Sequence, residues 1–328
     1  MVELIAEVGS VHDGSFGNAL QLIDAAATCG AAAVKFQTHI AAAETLADAP
    51  APSFFQGEPR YEYFERTSFS TDQWRALSAR ADERGIGFLS SPFSVEAVDL
   101  LEDIGVGAWK VPSGEVTNLP LLERLASTGQ PVLLSSGMSS WGELDKAVEL
   151  LAGGGPVTVL QCSSAYPCPP ERVGLNVLRE LQQRYGLPVG LSDHTLGPVA
   201  AIAAVVLGAT VIEKHFTFSR LMYGSDARHS TEPAELTALA EQLRALDLML
   251  TTTVDKDDIA PYAEMKRVFQ KSIVTAVPVP AGTVLTRDHL TIKKPGTGLP
   301  PGRLPAVVGR TTARDLMADH LLDEADLQ

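Results

Sequence analysis

Residues 188–216 read PVGLSDHTLGPVAAIAAVVLGATVIEKHF. Two short apolar runs, 189–192 and 211–215, flank an Ala- and Val-rich stretch that opens on Pro198 and closes before Gly208. Proline at the first turn and glycine just past the last are the asymmetric signals of helix termini. The segment is therefore expected to be strand, helix (198–207), strand. Each strand ends in groups that carry chemistry, Ser192-Asp193-His194 on the first and Glu213-Lys214-His215 on the second.

The same unit recurs on both sides. Short runs rich in Val, Ile, Leu and Phe predict strands at 4–8, 33–37, 87–91, 108–112, 132–136 and 158–162, ahead of the two already named. Amphipathic stretches between them predict helices at 18–29, 71–84 (with Thr71 as N-cap), 94–104, 119–127, 140–151 and 175–185, and 232–250 follows the last strand. Strand then helix, repeated eight times over about 250 residues, is the arithmetic of a closed (β/α)8 TIM barrel. An open doubly wound sheet would place a Gly-x-Gly-x-x-Gly turn after an early strand, and that motif is absent.

Beyond 251 the rhythm changes. TTTVDKDDIAPY reads as a linker, and 271–328 is strand-turn-strand material dense in Pro and Gly. Within it, residues 283–290 (TVLTRDHL) are echoed by 320–327 (HLLDEADL), which predicts a compact pseudo-symmetric β module. A module of under about 60 residues buries little core, so it is expected to dock onto a barrel, its own or another subunit's. The expected organisation is a barrel over 1–253, a linker over 254–270 and a β-rich module over 271–328.

The whole chain of 328 residues carries 26 Lys and Arg against 40 Asp and Glu, a net charge of −14. That surplus argues against nucleic acid and anionic membrane surfaces as partners, yet a small anion needs only a few local cations. Cys29, Cys162 and Cys168 form no CxxC pair, so neither a disulfide framework nor a zinc cluster is implied. No signal peptide is visible, and the apolar run 199–212 is too short to cross a bilayer. A cytoplasmic protein is expected.

Barrel enzymes place their chemistry at the C-terminal ends of the strands. Those ends carry Glu7; Lys35 and Gln37; Ser90 and Ser91; Lys110, Ser113 and Glu115; Ser135 and Ser136; Gln161, Ser163 and Ser164; and the two triplets that end the last strands. Lysines and serines converging on one mouth suit a phosphate. Against that, Lys35, Lys110 and Lys214 could each alternate outward to pair with helix carboxylates, because a strand residue points in or out by parity. His194 and His215 end adjacent strands and could share one divalent cation, or serve only as structural hydrogen-bonding groups. Glu7, Glu115 and Glu213 could act as acid and base, or merely pair with neighbouring lysines. Cys162 is expected to be a small buried hydrophobe. Phe54, Phe55, Tyr61, Tyr63 and Phe64 lie in a long insertion after the second strand, the place of a lid. Residues 222–226 form a polar loop over the same mouth.

Taken in order, AEVGSVHDGS (6–15), VKFQTH (34–39), SSPFS (90–94), WKVPSGE (109–115), LLSSGMSS (133–140), LQCSSAYP (160–167), GLSDHT (190–195), EKHFT (213–217) and KKPGTG (293–298) resemble the bacterial N-acetylneuraminate (sialic acid) synthases. The resemblance spans essentially the whole chain, and its last part resembles the antifreeze-like SAF domain. It implies condensation of phosphoenolpyruvate with an open-chain N-acyl hexosamine, typically N-acetylmannosamine, to a nonulosonic acid and phosphate. It further implies a divalent cation, Mn²⁺ or Mg²⁺, on His194 and His215, and a domain-swapped homodimer. Lys110, Ser91, Ser113, Ser135, Ser164 and Ser192 would hold phosphoenolpyruvate; Glu115, Tyr166 and Asp226, with Glu7, would face the sugar. Glu7 and Glu213 would handle protons. Lys294 stands where relatives place an arginine that reaches the partner's site, and Ser164 where relatives often have Asn. The first loop lacks the usual Asn before His12, and 225–230 is individual to this chain. Other nonulosonates (legionaminic, pseudaminic), a different aldehyde, a barrel aldolase and a non-catalytic carbohydrate-binding barrel are the alternatives.

Overall fold

The computed structural model describes residues 2–50 and 58–328. They form two compact units, Met1–Thr252 and Thr253–Gln328. Phe54 and Phe55 of the expected lid lie outside the described residues.

The first unit is a closed barrel of eight parallel strands in sequential order. They are β1 (Glu3–Gly9), β2 (Ala33–Thr38), β3 (Gly87–Pro92), β4 (Trp109–Val111), β5 (Val132–Ser135), β6 (Val157–Cys162), β7 (Val189–Asp193) and β8 (Val211–His215). All eight fall where apolar runs predict them. At the closure Glu7 stands opposite Lys35 on one side and His215 on the other, and the β1–β2 register shifts just beyond it, between Glu7 and Gly9.

Strand parity explains how one sheet serves two purposes. Leu4, Ala6, Val34, Phe36, Trp109, Leu134, Val159, Leu191 and Ile212 face the helices and belong to the main core. Ile5, Ala33, Leu89, Leu160 and Val211, with Ala108 and Leu133, form a separate apolar layer that plugs the barrel. Two residues further along each strand the inward positions become Glu7, Lys35, Ser91, Lys110, Ser135, Cys162, Ser192 and Glu213. The period of two carries every one of them to the same side of the sheet as the plug beneath it. Gly190 is the small member of the plug: a Cβ there would lie 2.5 Å from Leu160 Cδ2.

The helices form as their caps dictate, with small departures from expectation. Ser70, not Thr71, caps Thr71–Arg84, its hydroxyl accepting from Gln73 N while the Gln73 side chain returns to the Ser70 backbone. The helix Val199–Val206 is entered at Pro198 and ends just before the left-handed Gly208. No helix among the described residues is long and apolar enough to cross a membrane.

The second unit starts with a short helix, Ala263–Phe269, in the stretch expected to be a linker. Its apolar side chains Met265, Val268 and Phe269 are exposed. An antiparallel pair follows, β9 (Ser272–Thr275) with β10 (Leu290–Lys293). Nine buried side chains from Ile273 to Leu327 make its core. The sequence echo is structural: Arg287–His289 and Glu324–Asp326 are both single 3₁₀ turns closed by capping boxes, from Thr286 and Asp323 respectively. Leu290 and Leu327 follow them into the core.

Candidate active site

A cavity of about 470 Å³ opens at the C-terminal ends of the barrel strands. Glu7, Ser91, Lys110, Ser113, Ser135 and Ser164 line it, as do Tyr166, Ser192, His194, Glu213, His215 and Asp226. One expected site residue stands elsewhere. Glu115 is turned back toward the following helix, its Oε2 accepting from Asn118 Nδ2 at 2.7 Å. Lys294 belongs to the second unit, where its Nζ sits 5.0 Å from the centre of the Phe269 ring.

Parity sorts the three lysines. Lys35 and Lys110 point inward. Lys214 points outward and is held by Asp193 Oδ2 at 2.8 Å and the Thr195 carbonyl at 2.7 Å, so its partner is a strand carboxylate and not a helix one. Ser90, Ser136 and Gln161 likewise serve the frame: Ser90 bonds Thr38, and the other two reach backbone carbonyls of Leu160 and Val173.

The floor of the cavity is a buried array of alternating charge. Lys35 Nζ lies 2.6 Å from Glu7 Oε2 and 3.7 Å from Glu213 Oε2, and donates to Ser91 Oγ at 3.2 Å. Lys110 Nζ donates to Ser135 Oγ at 2.8 Å and lies 3.6 Å from Glu213 Oε1. Ser192 donates to that same oxygen at 2.8 Å. These environments separate two identical side chains. Burial disfavours charge on Glu213, but Lys110, Lys35 and the Ser192 hydroxyl outweigh it and hold the carboxyl down at about 2. Glu7 is pushed up to about 7 by burial; Lys35 opposes the rise and the charge on Glu213 adds to it. A carboxylate that stays charged thus sits beside a carboxyl that titrates near neutrality, the pattern of divided acid and base roles. Burial lowers the ammonium of Lys110, with repulsion from Lys35 adding to the effect and Glu213 opposing it.

Three side chains, from the ends of β4 and β6, converge on Gly137. Its N–H donates to Ser113 Oγ at 2.9 Å. A Cβ at this position would lie 2.6 Å from Ser164 Oγ, 2.7 Å from Ser113 Oγ and 2.9 Å from Cys162 Sγ. The missing side chain therefore leaves a cradle of hydroxyls in one cavity with the Lys110 ammonium, suited to an oxyanion. Its only sequence signal is a glycine two residues past the end of β5. Cys162 is buried as expected, but it lines this cavity, 4.0 Å from His194 Nδ1.

His194 and His215 meet with ring centres 5.5 Å apart, and Tyr166 covers His194 at 4.2 Å. His194 Nδ1 donates to the Ser163 carbonyl at 2.8 Å, which leaves Nε2 with its lone pair free to act as a ligand. His215 Nδ1 is buried with no hydrogen-bond partner among the described residues. Burial pushes His215 down to about 4, so at neutral pH it is an uncharged imidazole. Burial disfavours charge on His194, but Cys162 and the Ser163 carbonyl outweigh it and raise its imidazolium above the ordinary value. Beside it, the uncharged His215 with its orphaned nitrogen completes a donor pair that fits a cation once His194 gives up its proton. Among the described residues no three His, Cys, Asp or Glu side chains converge as a complete protein-only set.

The rim completes the site. Asp226 Oδ2 leans over Gly9 at the end of β1, within 2.7 Å of where a Cβ would stand on that left-handed glycine. From the insertion after β2, Tyr63 and Phe64 line the cavity, and the Tyr63 hydroxyl donates to the Ser10 carbonyl at 3.4 Å. Tyr61 packs with them. Arg60, His39, Phe93, Met138, Arg228 and His229 are further lining residues that strand-end reading alone did not find.

The comparisons with known proteins agree with this geometry. Residues 22–255 match the NeuB family and residues 270–328 the SAF domain. The chain is 34% identical over 332 residues to the N,N'-diacetyllegionaminic acid synthase of Campylobacter jejuni, covering 98% of each. It is 36% identical over 329 residues to the human N-acetylneuraminate-9-phosphate synthase, covering 98% of this chain and 91% of that one. The N-acetylneuraminic acid synthetase of Leptospira borgpetersenii, solved with citrate, superposes with a TM-score of 0.70 at 30% identity over 81% of this chain and 91% of that one. With a strand-end cavity in a (β/α)8 barrel and a SAF domain following it in sequence, the chain belongs to the NeuB family of nonulosonate synthases.

Proposed function

We propose that this chain condenses phosphoenolpyruvate with an open-chain N-acyl hexosamine, of the N-acetylmannosamine type, to give a nonulosonic acid and inorganic phosphate. The observation that carries this reading is the anion cradle of Lys110, Ser113, Ser135, Ser164 and Gly137, set beside two carboxyls of opposed ionisation.

In this scheme the cradle grips the phosphate and carboxylate of phosphoenolpyruvate, with Ser91 and Ser192 at the edge, and aims C3 at the aldehyde carbon. Asp226, Tyr166 and Gln37 border the space left for the sugar. As the C–C bond forms, the aldehyde oxygen needs a proton and C2 becomes electron-poor. Glu7, poised near neutrality, gives its proton to that oxygen and then takes one from the water that adds to C2, ending as it began. Glu213, held ionised by two lysines, offsets the positive character at C2. Collapse of the tetrahedral intermediate breaks the bond from C2 to the phosphate oxygen, forms the C2 ketone, and releases phosphate, which carries off the proton of the C2 hydroxyl. Mn²⁺ or Mg²⁺, held by His194 and His215, supplies Lewis acidity toward the aldehyde oxygen when bound.

The rest of the proposal concerns assembly. A domain-swapped homodimer in which Lys294 serves the partner's sugar site fits a SAF unit whose short leading helix has an exposed apolar surface. The test of the function is phosphate release from phosphoenolpyruvate with Mn²⁺ across a panel of N-acyl hexosamines, their 6-phosphates and diacetamido hexoses. Release with at least one is expected. No release with any of them contradicts the proposal.

A further inference from the structure

One buried polar line runs from the cavity wall to Glu7 through residues given no role above, His39 and Glu44. His39, only 6% exposed, lies flat between two phenyl rings, Phe64 at 3.7 Å and 11° and Phe93 at 4.2 Å and 20°. Its Nδ1 is 2.7 Å from Glu44 Oε1, and its Nε2 is 3.2 Å from Gln37 Oε1. Gln37 in turn donates from Nε2 to Glu7 Oε1 at 2.8 Å. The four side chains make one unbroken line, Glu44, His39, Gln37, Glu7. Glu44 is delivered by a helix of one turn, Ala41–Glu44, and its second oxygen is buried with no partner among the described residues. A buried carboxylate left half satisfied is costly.

With Glu7 ionised, the donors along the line have one consistent order. The amide then presents its NH₂ group to Glu7, so Gln37 turns its carbonyl oxygen toward His39. That oxygen requires a proton on His39 Nε2. The other ring nitrogen stands at bonding distance from a carboxylate oxygen, and a proton must lie between them as well. The His39–Glu44 pair therefore holds two protons, one on Nε2 and one shared between Nδ1 and Glu44. A neutral imidazole carries a single N–H, so Glu44 is what allows His39 to be a donor on both sides.

We infer that His39 and Glu44 are positioning residues: an aromatic-clamped imidazole and carboxylate that fix the Gln37 amide, and through it the proton-handling oxygen of Glu7. This rests on the assignment of Glu7 proposed above. Without the pair, the Gln37 amide is free to rotate by half a turn and set its oxygen against Glu7. The reaction would then lose orientation at the carboxyl, with phosphoenolpyruvate still gripped by the cradle on the far side.

The test uses the intact protein and two readouts. His39→Phe keeps the three-ring stack and removes both ring nitrogens. It is expected to lower kcat by about tenfold or more, the worth of one hydrogen bond to a charged group, while KM for phosphoenolpyruvate stays within about twofold. His39→Gln, which restores an N–H toward Gln37, is expected to recover part of the loss. An unchanged kcat in His39→Phe, or no recovery in His39→Gln, overturns the inference. The second readout needs no turnover: in the ¹⁵N spectrum of histidine-labelled protein, the His39 signals, assigned by their absence in His39→Phe, should show a protonated Nε2. An Nε2 that carries no proton overturns the inference even in a fully active enzyme. Failure of the function proposed above would show separately, as absence of turnover in the parent protein.

Discussion

The ammonium of Lys35 stands 2.6 Å from Oε2 of Glu7, with both side chains only 3% exposed. Lys35 also faces Glu213 at 3.7 Å, so one cation is shared between two carboxyls that titrate far apart. Only the nearer carboxyl is free to exchange a proton, because the farther one has Lys110 and Ser192 as well.

Lys35→Met removes that shared cation and leaves buried negative charge uncompensated. Breaking a buried pair from one side destabilises by about 3–5 kcal/mol. Thermal unfolding should show a clearly lowered Tm, and turnover should fall by about two orders of magnitude, the usual span for lost acid–base function. A variant with parental Tm and parental kcat would show that the array is not what orders the floor of the site.

Glu7 makes the pH dependence specific. Acting as an acid it must hold a proton, so kcat/KM should fall as pH rises through about 7. Glu7→Gln should lose that limb together with most of its activity. The same shift has a sign in stability: the fold raises this carboxyl from 4.5, so its contribution favours the folded chain fully below pH 4.5 and is lost as pH rises through about 7. Urea unfolding of parent and Glu7→Gln across that window measures the difference.

Gly137→Ala places a methyl group where Ser164 Oγ, Ser113 Oγ and Cys162 Sγ already converge within 3 Å. The expected outcome is loss of phosphoenolpyruvate binding by at least about tenfold, one lost charge-assisted contact, with the fold intact by circular dichroism. Calorimetric titration with phosphoenolpyruvate gives the answer directly. Parental affinity would remove the cradle from the site.

In the second unit, Asp326 is fully buried and accepts from Arg314 Nε at 2.8 Å, His320 Nε2 at 2.8 Å and the Asp323 N–H at 3.0 Å. Burial works against its charge, yet these bonds outweigh it and hold the carboxyl below its ordinary 3.8. The stability it confers is present above pH 3.8 and is lost as pH falls below that value. Asp326→Asn should lower stability by about 2 kcal/mol, the worth of hydrogen bonds to a charged group, and should flatten the acid limb of unfolding. An acid limb identical to the parent's would place the acid sensitivity elsewhere.

Most of the barrel was legible because the period-two and helix-period patterns alternate cleanly, and because the strand ends carry so many hydroxyls and charges. Side-chain direction was less so. For Lys35 and Lys110 the plug residue two positions earlier, Ala33 or Ala108, marks the inward face, whereas Lys214 follows Ile212 of the outer core and turns outward. Gly137 was missed because its role is the absence of a side chain. Ser70 outcompetes Thr71 as a cap because Gln73 stands three residues after it and closes the box. The turn of Glu115 toward Asn118 is a local hydrogen bond that no barrel rule anticipates. His39 and Glu44 escaped notice because their meaning lies in two rings brought from Phe64 and Phe93, distant in sequence.

The most direct measurement follows the bridging oxygen of phosphoenolpyruvate. With that oxygen labelled as ¹⁸O and a competent N-acyl hexosamine present, ³¹P NMR should show acceptor-dependent inorganic phosphate that retains the label, as C2–O cleavage requires. Phosphate that lacks the label, or whose release does not depend on the acceptor, would contradict a condensation at C3 followed by collapse at C2.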